Sequence, residues 1–485
     1  MHFLLPKIPN IFLALTALIA LAAVHPCQAQ TQEQAQQEKT EQEQVSKVPA
    51  ASPEKKAAGL EPMVVTATRV ETPLSQVTKS LSVVTGEQRD AQQEYFIPKL
   101  LDNEPGVLMR RLGGPGQWSE ISIRGAPGQF TQFQYNGMPL RDMADTQSTL
   151  QYFIEDLYSG SNLRQVEILK GTQSTLYGSQ AIGGVINIIP EKWKRGTGGE
   201  VRSEFGEHST FIEHGRFYHG QDKFFLDFNP MYITTDGMKN GGKDGFWYEN
   251  TGFTAGTGYR LSPDLTLEFS SIFFDTDLAL SQNSPSLDAA GNLVGNTADP
   301  IKHRKSLIAQ YGLGMNHAVS SCWNYSVKGA YTDTRRHYFW SAANGDQSNY
   351  DGTSVYLETQ HNIRITDWLS YLVGVDFERS DYDGREPNNP GLGDFSPVLY
   401  KEKWFVYDLF NQASFKLLDE SLFLNFGGRF NDHEAFDSKF VGEASAAYLF
   451  KKSGTKVHSH IGSGYRTPSL YEIYGGYVFN GSLIT

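Results

Sequence analysis

Beyond Trp193 the chain is dominated by long segments in which apolar and polar residues alternate. In LTLEFSSIFF, Leu267 and Phe269 fall on one face of an extended chain, whereas Glu268 and Ser270 fall on the other. The same alternation recurs in WLSYLVGVDFER, WFVYDLFNQASFKL and SLFLNFGGRF. Because successive side chains of a strand point to opposite faces, this pattern predicts β-strands with one apolar face. We count roughly thirteen candidate strands.

Two kinds of protein share this alternation, a soluble β-sandwich and a transmembrane β-barrel. Long strands and long connections, such as that between Asp275 and His303, favour the barrel, whose apolar residues face lipid and whose polar residues face the lumen. Aromatic residues make up 13 % of the chain, and the charged fraction of 20 % lies below the roughly 25 % of soluble domains. After the N-terminal region no apolar run approaches about 18 residues, so membrane residence would require a barrel.

The N-terminal region has the pattern of an exported protein. Lys7 precedes an apolar run from Ile11 to Val24 that is too short to span a membrane, and Ala29 ends a small-x-small triplet. We therefore predict a signal peptide over residues 1–29. Residues 30–60 are rich in Gln, Glu, Lys and Ala and lack aromatics, which predicts a disordered tether.

The sequence pattern of residues 75–192 predicts a small mixed α/β domain. Thr85 and Gln88 have capping-box spacing at the start of a helix, and Pro98 suits the first turn of a second short helix. Strands with glycine turns follow. From Val166 to Ile189 the pattern predicts a strand, a glycine turn, an exposed polar turn and a second strand.

The segment VEILKGTQSTLYGSQAIGGVINII closely resembles the end of the plug domain of TonB-dependent outer-membrane transporters. The PGV and IRG segments, and GYRTPSLYEIYG near the end of the chain, are similar to further motifs of that family. Asn136 departs from the family pattern, which usually has Asp there, although Asn supports the same turn. The residues that fall on the plug pattern are Gly125, Glu167, Lys170, Gly171, Tyr177, Gly178, Ser179, Gly183, Gly184 and Asn187.

A short β-prone core emerges from the polar tether in EPMVVTATR, residues 61–69. It resembles a TonB box, and the alternative is a plain edge strand of the next domain. Such a box binds by adding a strand to a sheet edge of its partner, here TonB of the TonB–ExbB–ExbD complex. The predicted box residues are Met63, Val64, Val65, Thr66 and Ala67.

The resemblance implies a mainly β fold, a transmembrane antiparallel barrel over residues 193–485 behind the plug domain. It places the protein in the outer membrane of a Gram-negative bacterium, in contact with lipid, as a monomer with a periplasmic N-terminus. Transporters of this kind have about 22 strands, so roughly thirteen predict an incomplete barrel. We therefore expect the chain by itself, without a second fragment, not to import a ligand.

The implied function is TonB-dependent active transport of a large metal chelate, a ferric siderophore or cobalamin. The alternatives are a haem or haemoprotein receptor and a non-functional fragment of such a transporter. The sequence contains no phosphate loop, dinucleotide fingerprint, nucleophile elbow or zinc motif, so we predict no enzyme and no resident cofactor. A net charge of −12 argues against a nucleic-acid partner.

The resemblance also implies how charged plug residues act. Arg124 and Glu167 are expected to form ion pairs between plug and barrel, and the alternative is a surface pair within the plug. Glu268, Glu358 and Glu443 are the candidate barrel partners. The apical plug loops are expected to contact substrate, through Gln117, Trp118, Arg141 and Asp142.

Two metal hypotheses remain open. Asp236 and Asp244 lie in the loop TTDGMKNGGKDGF, where carboxylates could bind calcium, and the alternative is a solvated turn. His458 and His460 share one face of a strand, which fits either polar lining of the lumen or haem ligands.

Overall fold

The computed structural model describes residues 63–111, 113–145, 149–237, 246–281, 286–287, 293–294, 298–339, 347–389, 394–474, 477–479 and 482–484. The predicted signal peptide and tether lie outside these residues, as do the first two residues of the segment that holds the predicted TonB box. Among the described residues no helix is long and apolar enough to cross a membrane.

The N-terminal domain is built on a five-stranded mixed sheet in the order β3-β8-β9-β6-β7, in which only β6 and β9 run parallel. Two antiparallel pairs, β1 with β2 and β4 with β5, lie outside it. The strands are β1 Met63–Val64, β2 Thr72–Pro73, β3 Ser80–Thr85, β4 Val107–Arg111, β5 Ser119–Ile123, β6 Thr131–Tyr135, β7 Met138–Leu140, β8 Leu163–Lys170 and β9 Gly184–Pro190. The helices are α1 Gly86–Gln92, α2 Ile97–Leu101 and α3 Ser174–Tyr177, with 3-10 turns at Leu74–Gln76, Gly128–Phe130 and Ile154–Asp156.

Local sequence accounts for the helix starts and the tight turn of this domain. The Thr85 hydroxyl accepts from the Gln88 N–H at 3.2 Å, and the Gln88 side chain accepts from the Thr85 N–H at 2.8 Å, which confirms the capping box. Pro98 lies in the first turn of α2, as predicted. Asn136 and Gly137 both have positive φ, 53° and 76°, in the hairpin turn between β6 and β7.

A 13-stranded antiparallel sheet follows, in which every strand pairs with its neighbours in chain order. Its strands are β10 Gly196–Gly206, β11 Thr210–Gly220, β12 Phe224–Thr235, β13 Tyr248–Ser262, β14 Leu265–Ser281, β17 Ala298–Ser320, β18 Trp323–Phe339, β19 Gln347–Thr366, β20 Leu369–Asn389, β21 Asp394–Leu417, β22 Leu422–His433, β23 Phe436–Phe450 and β24 Thr455–Gly462. The remaining elements are two small hairpins, β15 Ser286–Leu287 with β16 Leu293–Val294 and β25 Tyr477–Phe479 with β26 Ser482–Ile484, and helix α4 Leu470–Tyr474.

The two faces of this sheet differ as the alternation predicts. Leu267, Leu313 and Phe440 are exposed on the outer face, whereas Asp408 and Gln412 are buried on the inner face. Residues from many strands of the sheet contact the N-terminal domain, so the inner face of the sheet wraps around that domain. The polar inner face and apolar outer face confirm the transmembrane barrel pattern.

One local prediction is wrong. The polar turn of the QSTLYGS segment is buried rather than exposed, and it forms the single-turn helix α3, whose four residues are all buried. The physical reason is that α3 packs against the inner face of the barrel, where Arg429 donates to the Leu176 carbonyl at 3.3 Å. The polar side chains of this segment therefore contact the polar inner face of the barrel rather than solvent.

Candidate coupling site between the N-terminal domain and the barrel

The predicted TonB box is bound to the N-terminal domain through its backbone. The Glu167 carboxylate, on β8, accepts from the Val65 N–H at 3.1 Å and from the Thr66 N–H at 2.6 Å. Gln165 donates to the Met63 carbonyl at 3.0 Å and to Glu167. These main-chain groups are the ones that strand addition to a partner would use, so the box must leave this position before it can pair elsewhere.

Three further contacts hold the same segment. The Tyr177 hydroxyl donates to the Thr66 carbonyl at 2.6 Å, and burial raises the pKa of Tyr177, which keeps the phenol protonated as a donor. The Asn187 side-chain amide donates to the Thr66 hydroxyl at 3.1 Å. Val64 is fully buried, and Ala67 is almost fully buried. The box therefore has both polar and apolar anchors in the domain.

Arg69, two residues after the box, joins this segment to the barrel. Its buried guanidinium forms an ion pair with Glu358 on β19. The guanidinium lies over the rings of Tyr177, at 4.6 Å, and Phe410, at 4.4 Å, so it is stacked between the domain and the barrel wall. The Gln360 side chain donates to the Arg69 carbonyl at 3.2 Å. Arg69 thus anchors the chain to the barrel at two points.

The plug-pattern residues have identifiable local roles. Gly125, Gly171 and Gly178 have φ of 81°, 97° and 75°, a region that disfavours other residues. At Gly184 a Cβ atom would lie 2.4 Å from the Leu169 carbonyl oxygen of the neighbouring strand, so only glycine permits this strand spacing. Gly183 is similarly crowded, with a Cβ atom 2.9 Å from that of Ala126.

Lys170 ties two parts of the same domain together. Its ammonium donates to the Ser82 hydroxyl at 2.7 Å and to the Pro105 carbonyl at 2.6 Å. Burial lowers the pKa of Lys170. The role is structural, since both partners lie within the N-terminal domain.

The predicted plug–barrel pairing of Arg124 and Glu167 needs correction. Arg124 is exposed and donates to Ser80 within the domain, at 2.7 Å. Glu167 is fully buried and accepts the box N–H groups. Backbone donors satisfy this carboxylate, so burial does not demand a cationic partner from the barrel.

Other residues carry the ion pairs between the barrel and the rest of the chain. Each of the three candidate barrel carboxylates has a cationic partner, and two more pairs lie nearer the apical loops. These five pairs are Arg69–Glu358, Lys79–Glu443 at 2.6 Å, Lys192–Glu268 at 2.7 Å, Arg141–Glu378 and Arg336–Asp142 at 2.8 Å, and Arg216 of β11 also pairs with Glu191 at 2.8 Å. Lys79 was missed because nothing in the short segment VTKS distinguishes a buried lysine from a solvated one.

Two known protein families match this chain. The family described as TonB-dependent Receptor Plug Domain matches residues 73–185, and that described as TonB dependent receptor-like, beta-barrel matches residues 201–483. The chain belongs to the TonB-dependent receptor family. The family comprises receptors and transporters of the outer membrane.

Individual relatives are distant. The vitamin B12 transporter BtuB of Photobacterium profundum is 23% identical over 421 residues, which cover 85% of this chain and 63% of that protein. A mutant of the ferric enterobactin receptor PfeA of Pseudomonas aeruginosa superposes with a TM-score of 0.67 at 16% identity, over 84% of this chain and 64% of that one. The ferric yersiniabactin uptake receptor FyuA of Yersinia pestis superposes with a TM-score of 0.64 at 16% identity, over 80% of this chain and 65% of that one. The chain thus spans less than two thirds of the length of each of these proteins.

The four predicted substrate residues of the receptor differ in their exposure. Asp142 is fully buried, accepts from Arg336 and Thr334, and has its pKa raised by burial, so in this conformation it supports the apical loop rather than facing a ligand. Gln117 is also buried and donates to the Ala279 carbonyl at 2.7 Å. Trp118 is half-buried beneath the Arg110 guanidinium, and Arg141 pairs with the barrel. Of the four, only Trp118 and Arg141 are partly exposed.

The metal hypotheses find no support in the described residues of the receptor. No group of three or more His, Cys, Asp or Glu side chains in the described part of the chain is arranged to hold a metal ion. Asp236 is described, but Asp244 lies outside the described residues. His460 lies 3.4 Å from Glu443, whose other carboxylate oxygen accepts from Lys79, so this histidine lines the lumen next to an ion pair.

Replacing Lys79 by methionine should lower the stability of plug docking by about 2 kcal/mol, because it leaves the buried Glu443 carboxylate without its cation. Arg124→Ala should change it by less than about 0.5 kcal/mol, since an exposed hydrogen bond is lost. Urea unfolding followed by a spin label on the plug measures both variants. Equal midpoints for the two variants would contradict the assignment of Lys79 as the docking cation.

Proposed function

We propose that this receptor actively imports a large metal chelate, a ferric siderophore or cobalamin, across the outer membrane. The TonB complex binds the Met63–Ala67 segment and pulls on it, the plug rearranges, and the chelate passes to the periplasm. The printed names of the relatives, a vitamin B12 transporter and receptors for ferric siderophores, support this class of ligand. No covalent bond of the ligand is broken.

The observation that carries the proposal is the docking of the box. Its backbone N–H groups are bound to Glu167 in the plug, and two residues later Arg69 is bound to the barrel. A pull on the chain before Met63 therefore acts on the plug through Glu167 and on the barrel through Arg69. This arrangement suits the transfer of force from a partner to the plug.

The position of the box also fits a periplasmic partner. Thr68, Gln76 and the segment from Val70 to Pro73 line a cavity together with the short turn between β17 and β18, which is formed by Ser321 and Cys322. Lys456, beside the short turn between β23 and β24, donates to the Leu74 carbonyl at 2.7 Å. Barrels of the outer membrane have short turns on the periplasmic side, so the box end of the plug faces the compartment where TonB acts.

Uptake of labelled ligands tests the proposal. Cells that produce the receptor from its own gene should accumulate labelled cobalamin or one member of a ferric siderophore panel, and accumulation should stop when the TonB complex is deleted. No accumulation in either strain would instead favour the alternative of a non-functional fragment. Surface binding should persist in the deletion strain, which serves as the matched control. Accumulation that does not depend on the TonB complex would overturn active transport.

A further inference from the structure

A shallow apolar groove crosses the outer face of the barrel. Its volume is about 970 Å³, and residues of the five neighbouring strands β13, β14, β17, β18 and β19 line it. Gly329 of β18 lies in the groove, directly between its register partners Leu313 of β17 and Leu357 of β19. These two leucines are 65% and 50% exposed. A glycine between two exposed leucines leaves a depression in the apolar surface.

Polar side chains lie at one end of this groove. The groove continues toward the short turns of the barrel through Met315 and Val327, which are paired in the next outward-facing row. The row after that consists of His317, Tyr325 and His361, which are direct partners across β17, β18 and β19. Two imidazoles thus lie on the outward face of a membrane-spanning sheet, where ionisable side chains are rare and usually have a function. We call His317, Tyr325 and His361 the histidine row.

Aromatic neighbours orient the two imidazoles. The Trp323 indole N–H donates to His361 Nδ1 at 3.3 Å, so the neutral imidazole of His361 carries its proton on Nε2 and donates from there. The Tyr325 hydroxyl lies 3.3 Å from His317 Nδ1. The rings of Trp323 and Tyr325 also pack with that of His361, with centroids 6.0 and 5.6 Å apart. The histidine row therefore presents oriented N–H donors beside an apolar surface.

The depth of the histidine row matches that of a lipid headgroup. Tyr325 is only three residues beyond the turn that ends at Cys322, on the periplasmic side in the proposed orientation. Leu313 lies four residues from His317 along β17, which is about 13 Å at roughly 3.3 Å per residue. The apolar layer of one leaflet is about 15 Å thick, half of a hydrocarbon core of about 30 Å. The groove therefore lies within one leaflet, and the histidine row lies at its polar boundary, where Tyr and Trp are enriched.

The local charge fits an anionic headgroup. The outward-facing residues of the three rows across β17, β18 and β19 include no Asp or Glu. A phosphate at the histidine row thus meets N–H donors without a carboxylate of these rows to repel it. An acyl chain attached to that phosphate has the adjoining groove to occupy, whereas a free phosphate ion makes no use of the groove.

We propose that the groove and the histidine row bind one glycerophospholipid of the periplasmic leaflet. The phosphate accepts from His361 Nε2 and from the His317 imidazole, and one acyl chain lies along Val327 and Gly329. The site is on the lipid-facing surface of the barrel. The inference rests on the proposed orientation of the barrel but not on the transport of any chelate.

Lipid titration of the detergent-purified full chain tests the site. The probes are dioleoyl phosphatidylglycerol and dioleoylglycerol, which has the same acyl chains but no phosphate, and native mass spectrometry counts the lipids retained per chain. Wild type should retain one phosphatidylglycerol with about tenfold higher affinity than dioleoylglycerol, because only the former accepts from the imidazoles. An excess of inorganic phosphate should not displace it, since the acyl chain remains bound in the groove.

Two variants separate the headgroup contact from the groove. His361→Phe keeps an aromatic ring but removes the donor, and it should weaken phosphatidylglycerol about tenfold while leaving dioleoylglycerol unchanged. Gly329→Trp fills the groove and should weaken both lipids about tenfold. Gly428→Trp is the matched control on β22. A Cβ atom would lie 3.2 Å from the Phe440 ring at Gly428 and 3.1 Å from the Leu357 side chain at Gly329, so the two sites are similarly crowded, but Gly428 does not line the groove.

Each result supports or overturns the proposal. Resistance of the outer-membrane species to protease establishes that each variant has folded. Equal affinity of wild type for the two lipids, or displacement of phosphatidylglycerol by inorganic phosphate, would overturn the site without the use of any variant. Wild-type binding by a folded Gly329→Trp variant would also overturn it. So would a loss in Gly428→Trp as large as that in Gly329→Trp.

Discussion

Val65→Pro should abolish energised uptake while leaving ligand binding at the cell surface nearly intact. Proline has no backbone N–H, so the variant loses both the bond to Glu167 in the docked state and a bond that a partner strand would accept. In the proposed function the ligand enters from the opposite end of the plug, so surface binding of the ligand should not change. Uptake and surface binding of a labelled ligand by the same cells measure the two effects.

Val65→Ala is the control for this experiment. It shortens the side chain but keeps the N–H, and a partner that binds by main-chain pairing should tolerate it, so uptake should stay within about threefold of wild type. Uptake by Val65→Pro at the wild-type rate would show that the Met63–Ala67 segment does not couple transport to TonB. Loss of binding together with uptake would instead indicate damage to the plug.

Much of the fold could be predicted from the sequence because the determining signals are local. Alternation in LTLEFSSIFF assigns Leu267 to the outer face and Glu268 to the inner face, and the structure agrees. The Thr85 and Gln88 capping box needs only a spacing of three residues. Such patterns involve only residues of one strand or one helical turn, whose relative positions follow from the local backbone geometry.

The polar contacts of the site could not be predicted in the same way. Lys79 and Glu443 are separated by 364 positions in the chain, and no local pattern joins them. Glu167 was expected to face a cation, but its donors are the Gln165 side chain and the N–H groups of a segment about 100 residues earlier. Which group satisfies a buried carboxylate depends on the tertiary packing of two domains.

Arg429, on β22, forms buried ion pairs at the plug–barrel interface. It donates to Asp376 at 2.8 Å and to Asp408 at 2.5 Å, and all three side chains are buried. The same guanidinium donates to the Leu176 carbonyl, at the end of the single-turn helix α3 in the plug. One cation thus compensates two carboxylates and binds the plug.

Arg429→Met should therefore destabilise the docked plug by about 3–5 kcal/mol, because it leaves two neighbouring carboxylates buried without a cation. Arg379→Met is the matched control on the neighbouring part of the barrel. Arg379 pairs with Asp381 at 2.7 Å, but this pair is exposed to solvent, so its loss should leave the unfolding midpoint of the plug close to that of wild type. Urea unfolding followed by a spin label on α3 compares the two variants. If Arg429→Met unfolds at the same midpoint as Arg379→Met, water compensates the Asp376 and Asp408 charges, and the plug is held by its other contacts.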